Sequence, residues 1–360
     1  MRVKLEDVCE KGSSNIKQSD VENSNGDYPV FGASGYLGNV NFYHQDKPYV
    51  AVVKDGAGIG RTTMHPANSS VIGTMQYLLP KENILPEYLY YVVSYMNLSK
   101  YYSGATIPHI YFKDYKNEKF SLDCLDKQRQ IVMTLDKVQS IIDKRKKQLE
   151  KLDELVKSRF IELFGGIHDS KMYPYKMVKE LTEVISGGTP SRDVSEYWEE
   201  GTIPWVKTTE LHNNVVTKVE EYITKKGLNN SSAKIVPVGT VLVAMYGQGK
   251  TRGMTAYLEI KACTNQACAC ILPSDKINQK FLWYFFILSY DNLRDLAKGG
   301  NQPNLNGNMI KTYPILYPPI ELQNQFAAFV KQVDKSKFEI KQSLEKLELL
   351  KKVLMQKYFG

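Results

Sequence analysis

The stretch LDKQRQIVMTLDKV, residues 125–138, recurs as IELQNQFAAFVKQV, residues 320–333. The two stretches keep a constant offset of 195 residues, so that Gln128 in the first becomes Gln323 in the second. The offset is slightly more than half of the 360-residue chain. A two-copy repeat of this length is too long for a solenoid and indicates a duplicated domain.

The repeat extends upstream of these stretches. SGATIP at 103–108 aligns with KGGNQP at 298–303 at the same offset, and DGAGIGRT at 55–62 matches YGQGKTRG at 246–253 in its glycines and basic residues. Two copies of one module therefore fill the chain.

Each copy ends in a segment with strong helical periodicity. Residues 126–163 contain no glycine or proline, and their apolar residues recur at steps of four and three, as in a coiled-coil heptad. These positions are Ile131, Leu135, Val138, Ile142, Leu149, Leu152, Val156 and Leu163. The pattern predicts a long helix at the end of each copy, and the two helices are expected to pack on each other. The alternative is that each helix caps its own domain.

The rest of each copy has the pattern of a mixed domain. Short β-branched and aromatic runs alternate with clusters of glycine, asparagine, serine and proline, and shorter helices are expected at 86–100 and 278–297. We predict an α+β fold with two tandem-repeat α/β domains, each followed by a long helix. The predicted boundaries are 1–125 and 166–320 for the domains, and 126–165 and 321–360 for the helices.

Composition excludes several classes of protein. The chain is 42% hydrophobic and 24% charged, and its most apolar stretch, residues 281–290, is half the length of a membrane-spanning helix. The N-terminus lacks the apolar core of a signal peptide. We therefore expect a protein of the cytoplasm with no membrane partner. The net charge of +8 favours an anionic partner, and about three quarters of it falls on the two predicted long helices.

The cysteines and histidines do not form a recognisable site. Five cysteines are spread thinly and are expected to be reduced. A zinc site at Cys263, Cys268 and Cys270 is the alternative, but no second pair or neighbouring histidine completes it. No metal is therefore expected.

The most suggestive catalytic motif is AMYGQGKT at 244–251. It ends in the GKT of a nucleotide-binding P-loop, but Ala244 stands where the first glycine is required. We interpret the glycines as a tight turn between strands with a basic residue at its tip, and leave a P-loop enzyme as an alternative. With no other catalytic motif in the sequence, the chain is expected to bind and not to catalyse.

Several strings in the second copy carry a family resemblance. ELTEVISGGTPSR (180–192), IPWVKTTEL (203–211), GQGKTRG (247–253) and the start of the last helix occur in this order. With the duplication, they make the whole chain similar to the specificity subunit of Type I restriction–modification systems. The first copy departs from the pattern, because it has CEKGSSN at 9–15 and FGASGYLG at 31–38 in place of the first two strings.

The resemblance implies a DNA-binding function. Two target-recognition domains would read different halves of an asymmetric bipartite site in double-stranded DNA, while the long helices pair antiparallel as a spacer. Two modification subunits would bring S-adenosylmethionine, and motor-nuclease restriction subunits would bring ATP and Mg²⁺. No cofactor is expected in this chain, nor an additional N-terminal spacer. The alternative is a coiled-coil scaffold that does not bind DNA.

Candidate DNA contacts follow from the glycine-rich tips, the proline loops and the matched strings, because amide, hydroxyl and basic side chains bind bases and phosphates. For each of them a turn or capping role is the alternative, above all for the asparagines. The first-copy candidates are Lys54, Arg61, Thr106, His109 and Lys113. The second-copy candidates are Thr189, Ser191, Arg192, Lys207, Gln248, Lys250, Arg252, Asn301, Gln302, Asn304, Asn306 and Asn308.

Overall fold

The computed structural model describes residues 1–56, 58–103, 108–247, 249–297 and 304–360. The chain divides into two compact units: unit 1 holds residues 1–148 and 340–360, and unit 2 holds residues 149–339. Each unit therefore contains one globular module and a part of each long helix. The four-part division made from the sequence stays a prediction.

Unit 1 alternates short strands and helices before the first long helix. Its elements are β1 (Arg2–Lys4), α1 (Leu5–Val8), β2 (Cys9–Ser13), α2 (Gln18–Glu22), β3 (Tyr28–Gly32), β4 (Gly35–Val40), β5 (Tyr49–Val53), β6 (Thr62–His65), β7 (Ser70–Val71), β8 (Met75–Pro80), α3 (Pro86–Met96), a 3₁₀ turn (Leu98–Tyr101), α4 (Phe112–Tyr115), β9 (Lys119–Ser121) and the long helix α5 (Leu125–Phe164), which continues into unit 2.

Unit 2 has a corresponding order. Its elements are β10 (Tyr175–Met177), α6 (Val178–Leu181), β11 (Val184–Ser186), β12 (Ile203–Val206), β13 (Asn214–Val216), β14 (Glu221–Ile223), α7 (Lys225–Asn229), β15 (Val241–Ala244), β16 (Thr255–Leu258), β17 (Cys263–Thr264), β18 (Cys268–Ile271), α8 (Gln279–Leu288), α9 (Tyr290–Leu296), α10 (Gly307–Lys311), β19 (Pro314–Leu316) and the long helix α11 (Ile320–Phe359), which ends in unit 1; short 3₁₀ turns lie at Ser195–Tyr197 and Thr208–Glu210.

The sheets of the two units have matching topology. The main sheet runs β2-β8-β5-β6 in unit 1 and β11-β18-β15-β16-β13 in unit 2. A three-stranded sheet runs β4-β3-β7 in unit 1 and β14-β12-β17 in unit 2, and the pairs β1-β9 and β10-β19 close the two modules. The duplication predicted from the sequence is therefore present in the fold, which has the expected mixed helix and sheet content.

The two long helices are equivalent. Each has 40 residues, and both their first and their last residues differ by the 195 of the sequence repeat. In unit 1 the Lys351 ammonium of α11 donates to the Gln139 side chain of α5 at 2.6 Å. In unit 2 the ring centroids of Phe160, from α5, and Phe326, from α11, lie 5.4 Å apart. Segments of α5 and α11 thus contact each other within each unit.

Each module buries the last turn of a long helix in its core. In unit 1, Phe359 at the end of α11 is fully buried and packs edge-on against Tyr88 of α3, with ring centroids 5.2 Å apart. In unit 2, Phe164 at the end of α5 is fully buried and packs against Phe281 of α8 at 5.0 Å. Burying an aromatic side chain stabilises a fold by roughly 1.5–3 kcal/mol, so the helix that leaves one module helps to hold the other together.

The repeated glutamines join each long helix to the short helix beside it. Gln128 and Gln323 are both fully buried. The Gln128 side-chain oxygen accepts from the backbone N–H of Leu85, at the start of α3, at 2.9 Å. The Gln323 oxygen accepts from Asn278, at the start of α8, also at 2.9 Å. A buried amide must be hydrogen-bonded to be tolerated, and both copies meet that requirement in the same way.

Three local predictions need correction. The first short helix ends at Met96 and not at residue 100, because Asn97 adopts the left-handed conformation that ends a helix. The short helix predicted at 278–297 is instead two helices, α8 and α9, which meet at the buried Ser289. The heptad pattern also omitted Phe160, which is fully buried because the end of α5 packs into a globular core.

Among the described residues, no helix is both long and apolar enough to cross a membrane.

Replacing the buried glutamine tests how far this contact supports the fold. Gln128→Ala leaves the Leu85 N–H without its acceptor, and an unsatisfied buried polar group costs about 1–3 kcal/mol. We expect the urea midpoint of the full chain to fall accordingly. The control, Gln130→Ala, changes an exposed position on the same helix and should shift the midpoint little. Equal shifts in the two variants would contradict the structural role of Gln128.

Candidate nucleic-acid interface

The two glycine-rich segments form hairpin loops that close in the same way. In unit 1 the loop joins β5 to β6, and the Gly60 N–H donates to the Val53 carbonyl at 2.8 Å. In unit 2 the loop joins β15 to β16, and the Gly253 N–H donates to the Ala244 carbonyl at 2.9 Å. Gly60 and Gly253 both have left-handed φ values, +78° and +86°, which glycine adopts without strain.

Each hairpin loop lies against the loop that carries the aligned proline. In unit 1 the Ile110 N–H donates to the Lys54 carbonyl at 3.0 Å. In unit 2 the Leu305 N–H donates to the Met245 carbonyl, also at 3.0 Å. Ile110 and Leu305 are equivalent in the sequence repeat. The two regions singled out from the sequence therefore meet in both units, where they form one surface.

The basic candidates of unit 1 are partly engaged within this surface. His109 contacts the Asp55 carboxylate, and Lys54 lies 3.4 Å from the same carboxylate group. The Arg61 guanidinium donates to the Ala33 carbonyl at 2.8 Å, which ties the hairpin loop to the β3–β4 turn. Arg61 thus has a positioning role in the free protein.

Two aromatic residues add exposed surface to the same region. Tyr111 is 48% exposed, and the Lys113 ammonium lies 5.0 Å from its ring centroid. Tyr36, at the start of β4 and next to the turn that Arg61 contacts, is 62% exposed. Exposed rings beside basic side chains suit contacts with bases. Thr106, the remaining unit 1 candidate, lies outside the described residues.

In unit 2, two side chains of α9 hold the hairpin loop by its carbonyl oxygens. The Arg294 guanidinium donates to the Gly249 carbonyl at 2.9 Å and to the Arg252 carbonyl at 3.0 Å. The Tyr290 hydroxyl donates to the Lys250 carbonyl at 2.7 Å. The loop is thereby fixed, while the Lys250 side chain is exposed and has no ion-pair partner among the residues that the structure describes.

The asparagine candidates of unit 2 have differing environments. Asn306 caps α10, because its side-chain oxygen accepts from the Met309 N–H at 3.0 Å. Asn308 is an exposed residue of that helix, and Asn304 is half-buried. Gln248, Asn301 and Gln302 lie outside the described residues. Asn306 thus has the helix-capping role that the sequence analysis gave as the alternative to a DNA contact.

Arg192 and Lys207 belong to a separate cluster around two tryptophans. The Arg192 guanidinium stacks 3.6 Å from the Trp198 ring centroid and pairs with Glu221 at 2.6 Å. The Lys207 ammonium lies 2.8 Å from Glu221 and 2.9 Å from Glu220. Hydrogen bonds to these two carboxylates raise the pKa of Lys207. Both basic side chains are therefore neutralised by acidic neighbours in the free protein.

Thr189 and Ser191 lie in the loop next to this cluster. The Thr189 hydroxyl donates to the Gln266 side chain. The Ser191 carbonyl accepts from the Trp198 indole N–H at 2.9 Å. These contacts organise the SGGTPSR loop around the tryptophans.

The alternative zinc and nucleotide sites do not have the required geometry. Cys268 and Cys270 are buried in an apolar cluster, and burial raises the pKa of Cys270 to about 11. No group of three or more potential metal-binding side chains comes together among the described residues. The GKT triplet lies between two antiparallel strands, whereas a P-loop leads from a strand into a helix.

Sequence reasoning missed several residues of these surfaces. Asp55 and Tyr246 stand inside quoted motifs, and Tyr246 is 41% exposed, so the chemistry of the motifs could have indicated them. Tyr290 and Arg294 gave no signal, because they lie about 40 residues from the loop that they hold. Only the tertiary fold brings them together.

The fold and its paired loop surfaces define a duplicated binding module, and comparison with known proteins assigns its family. A family model described as "Type I restriction modification DNA specificity domain" matches residues 1–154 and 172–351. The match covers most of the chain in two consecutive copies. The chain belongs to this family.

Similar proteins carry the same description. The chain is 31% identical over 187 residues to the Type I restriction enzyme MjaIX specificity subunit of Methanocaldococcus jannaschii. This alignment covers 50% of the present chain and 42% of that protein. It is 23% identical over 268 residues to the Type I restriction enzyme EcoR124I/EcoR124II specificity subunit of Escherichia coli. That alignment covers 69% of the present chain and 63% of the relative. The matches thus span less than two thirds of the length of these two relatives.

Solved structures share the fold. The crystal structure of the type I restriction–modification S subunit from M. genitalium matches 100% of this chain and 96% of its own, with a TM-score of 0.64 and 15% identity. A chain from a structure titled "Structural basis underlying complex assembly and conformational transition of the type I R-M system" matches with a TM-score of 0.56 and 16% identity, covering 99% and 97%. At these identities the likeness concerns the fold alone.

Glycine substitutions test the packing of the unit 1 hairpin loop. A Cβ on Gly60 would lie 2.5 Å from the Ser99 backbone nitrogen, whereas a Cβ on Gly56 would meet nothing within 4 Å. Both glycines have left-handed φ values, so each alanine costs about 1–2 kcal/mol in backbone strain. Gly60→Ala should lower the urea midpoint more than the matched Gly56→Ala, because it adds a backbone collision. Equal losses would contradict this packing.

Proposed function

We propose that the chain is the DNA-specificity subunit of a type I restriction–modification complex. The observation that carries the proposal is the repetition, in two units of one family, of a surface built from a glycine-rich hairpin and a proline loop. Each surface would read one half of a bipartite site in double-stranded DNA. Because the two hairpin loops differ in sequence, the two halves would differ as well.

The side chains of these surfaces suit the task. Backbone N–H groups, lysine and arginine bind phosphates, while amide side chains and exposed aromatic rings contact bases. The unit 2 loop offers Lys250, and unit 1 offers Arg61 and Lys113 beside Tyr36 and Tyr111. All seventeen candidates named from the sequence remain proposals as DNA contacts. Arg192 and Lys207 are the weakest of them, since DNA would have to replace their carboxylate partners.

Catalysis is assigned to partner subunits in this proposal. Two modification subunits would bring S-adenosylmethionine, and restriction subunits would bring ATP and Mg²⁺. This chain would select the DNA sequence at which they act and would itself be non-catalytic. We place the complex in the cytoplasm, in contact with the genome of the cell.

The long helices would serve as an antiparallel coiled coil that spaces the two half-sites. The contacts of α5 with α11 within each unit support this pairing. At about 1.5 Å per residue, a helix of 40 residues is roughly 60 Å long, which corresponds to about 18 base pairs of rise. That value is an upper limit for the gap, because each domain extends over a part of its helix.

Exposed apolar residues on the long helices suggest where the modification subunits dock. Leu155 of α5 and Leu350 of α11 occupy equivalent positions in the repeat and are 47% and 45% exposed. Leu349 and Val353 extend the apolar patch on α11. Leu155 and Leu350 give each long helix one exposed apolar residue at an equivalent position, which fits two copies of one partner. The α5 counterparts of Leu349 and Val353 are Glu154 and Ser158, so that the wider patch is found on α11 alone.

Lengthening both helices tests their role as a spacer. We expect seven residues inserted after Gln148 and seven more after Glu339, where the compact units divide, to add about 10 Å to the spacer. The gap between the half-sites should then grow by about three base pairs, as measured by sequencing methylated adenines in cells that carry the variant. Insertion of four residues at each place is the control, because it breaks the heptad register. Methylation with an unchanged gap after the seven-residue insertions would contradict the spacer.

Charged substitutions test the docking patches. Leu155→Glu and Leu350→Glu place a charge in the proposed apolar contact, and each should lower co-purification of the modification subunits by about tenfold. Gln130→Glu and Gln325→Glu are matched controls at equivalent exposed positions of the same helices. Unchanged recovery of the modification subunits with the leucine variants would exclude these patches as the docking sites.

A scaffold that does not bind DNA would behave differently with salt. Phosphate contacts make the affinity for DNA fall steeply as salt rises. We expect the assembled complex to lose roughly a hundredfold or more in affinity between 50 and 200 mM salt. Weak and salt-insensitive binding would favour the scaffold.

A further inference from the structure

We propose that Gln266 is a specificity-determining residue of unit 2, whose side-chain nitrogen Nε2 donates a hydrogen bond to N7 of a purine in the major groove. The proposal rests on the proposed function, because it takes DNA as the ligand. Gln266 lies in the turn between β17 and β18 and is not among the seventeen candidates, which came from motifs and aligned loops.

The strand directions place this turn at the edge of the main sheet from which the hairpin loop leaves. β15 and β18 are antiparallel, and Ala244 at the end of β15 pairs with Cys268 at the start of β18. The Met245 N–H donates to the Ala267 carbonyl at 2.8 Å. The residue that follows Gln266 is thus bonded to the base of the hairpin loop, which is itself bonded to the proline loop.

The SGGTPSR loop leaves from the same edge. β11 is antiparallel to β18, and its last residue, Ser186, pairs with Ala269. Shortly after this strand, the Thr189 hydroxyl donates to the side-chain oxygen Oε1 of Gln266. The turn is therefore bonded both to the hairpin loop and to the SGGTPSR loop, within the surface that the proposed function assigns to DNA.

The contact with Thr189 determines which end of the amide is presented. Gln266 is exposed, although the strands β17 and β18 on either side of the turn are buried. With Oε1 held by Thr189, the opposite end of the amide is Nε2, a donor with two hydrogens. N7 is a hydrogen-bond acceptor on both adenine and guanine in the major groove. The chemistry of the presented group therefore matches a purine N7.

Unit 1 has the same turn without this side chain. In the turn between β7 and β8, the Thr74 carbonyl accepts from the Lys54 N–H at 3.0 Å, as in the corresponding bond of unit 2. Gly73 therefore occupies the position of Gln266. Because glycine has no side chain with which to read a base, the proposed purine contact belongs to one half-site alone.

Removal of single N7 atoms from the DNA tests the contact. The assembled complex is titrated with a duplex that contains its methylation target, in which one purine at a time is replaced by its 7-deaza analogue. With the wild-type chain, replacement of the purine read by Gln266 should weaken binding by about fivefold, the net value of one hydrogen bond. With Gln266→Ala the same replacement should cost less than about twofold. The 7-deazaadenine and 7-deazaguanine duplexes show which purine is read.

Further variants separate base reading from positioning. Gln266→Glu keeps the size of the side chain but replaces the donor with an acceptor, and it should remove the N7 dependence as alanine does. Thr189→Val removes the hydroxyl that holds Oε1 and should reduce the N7 dependence, whereas Thr189→Ser keeps the hydroxyl and should retain it. Gln325→Ala removes an exposed glutamine of α11 and should leave the wild-type pattern unchanged.

The outcomes distinguish the contact from the proposed function. If every 7-deaza loss is as large with Gln266→Ala as with the wild-type chain, the assignment of Gln266 is wrong while the proposed function stands. The same comparison is made with Gln266→Glu if the alanine variant does not assemble. A Gln266-dependent loss in both half-sites would also contradict the proposal, because unit 1 has Gly73 at this position. If the wild-type complex does not distinguish its target from scrambled DNA, the proposed function itself fails.

Discussion

The structure depends on the burial of two aromatic side chains at the ends of the long helices. Phe164 ends the first sequence copy but is buried in unit 2, and Phe359 ends the second copy but is buried in unit 1. Each module therefore lacks a part of its core without a helix from the other copy. Both helices carry a buried glutamine in the first turn and end at a buried phenylalanine, so the length between these two anchoring residues is the same in both copies.

That constraint gives the proposed function its physical basis. A recognition module attached by a flexible linker could read any spacing, whereas a helix anchored at both ends has a fixed length. The hairpin loops show the same use of rigid support. Arg61 in unit 1 and Arg294 in unit 2 hold the loops by donating hydrogen bonds to backbone carbonyls. The other side chains of the loops are therefore not needed to hold the loops in place.

Much of this organisation could be predicted from the sequence, and the physical reasons are clear. The long helices could be recognised because local periodicity and the absence of glycine and proline determine them, and the hairpin and proline loops could be singled out because both recur in the two copies. The contact between the two loops could not be predicted, since it depends on the tertiary fold. The burial of Phe160 could not be predicted from the sequence, because it depends on a core formed by distant residues. The pairing of Arg192 and Lys207 with Glu221, and the contact of Arg294 with the loop, were also hidden by their separation in sequence.

The central claim is that this chain selects a bipartite DNA site for modification. The most direct measurement is sequencing of methylated adenines in the host genome with and without the gene. The account predicts that one motif, with two short specified blocks around an unspecified gap, is methylated only when the chain is present. A methylation pattern that does not change on deletion of the gene would contradict it.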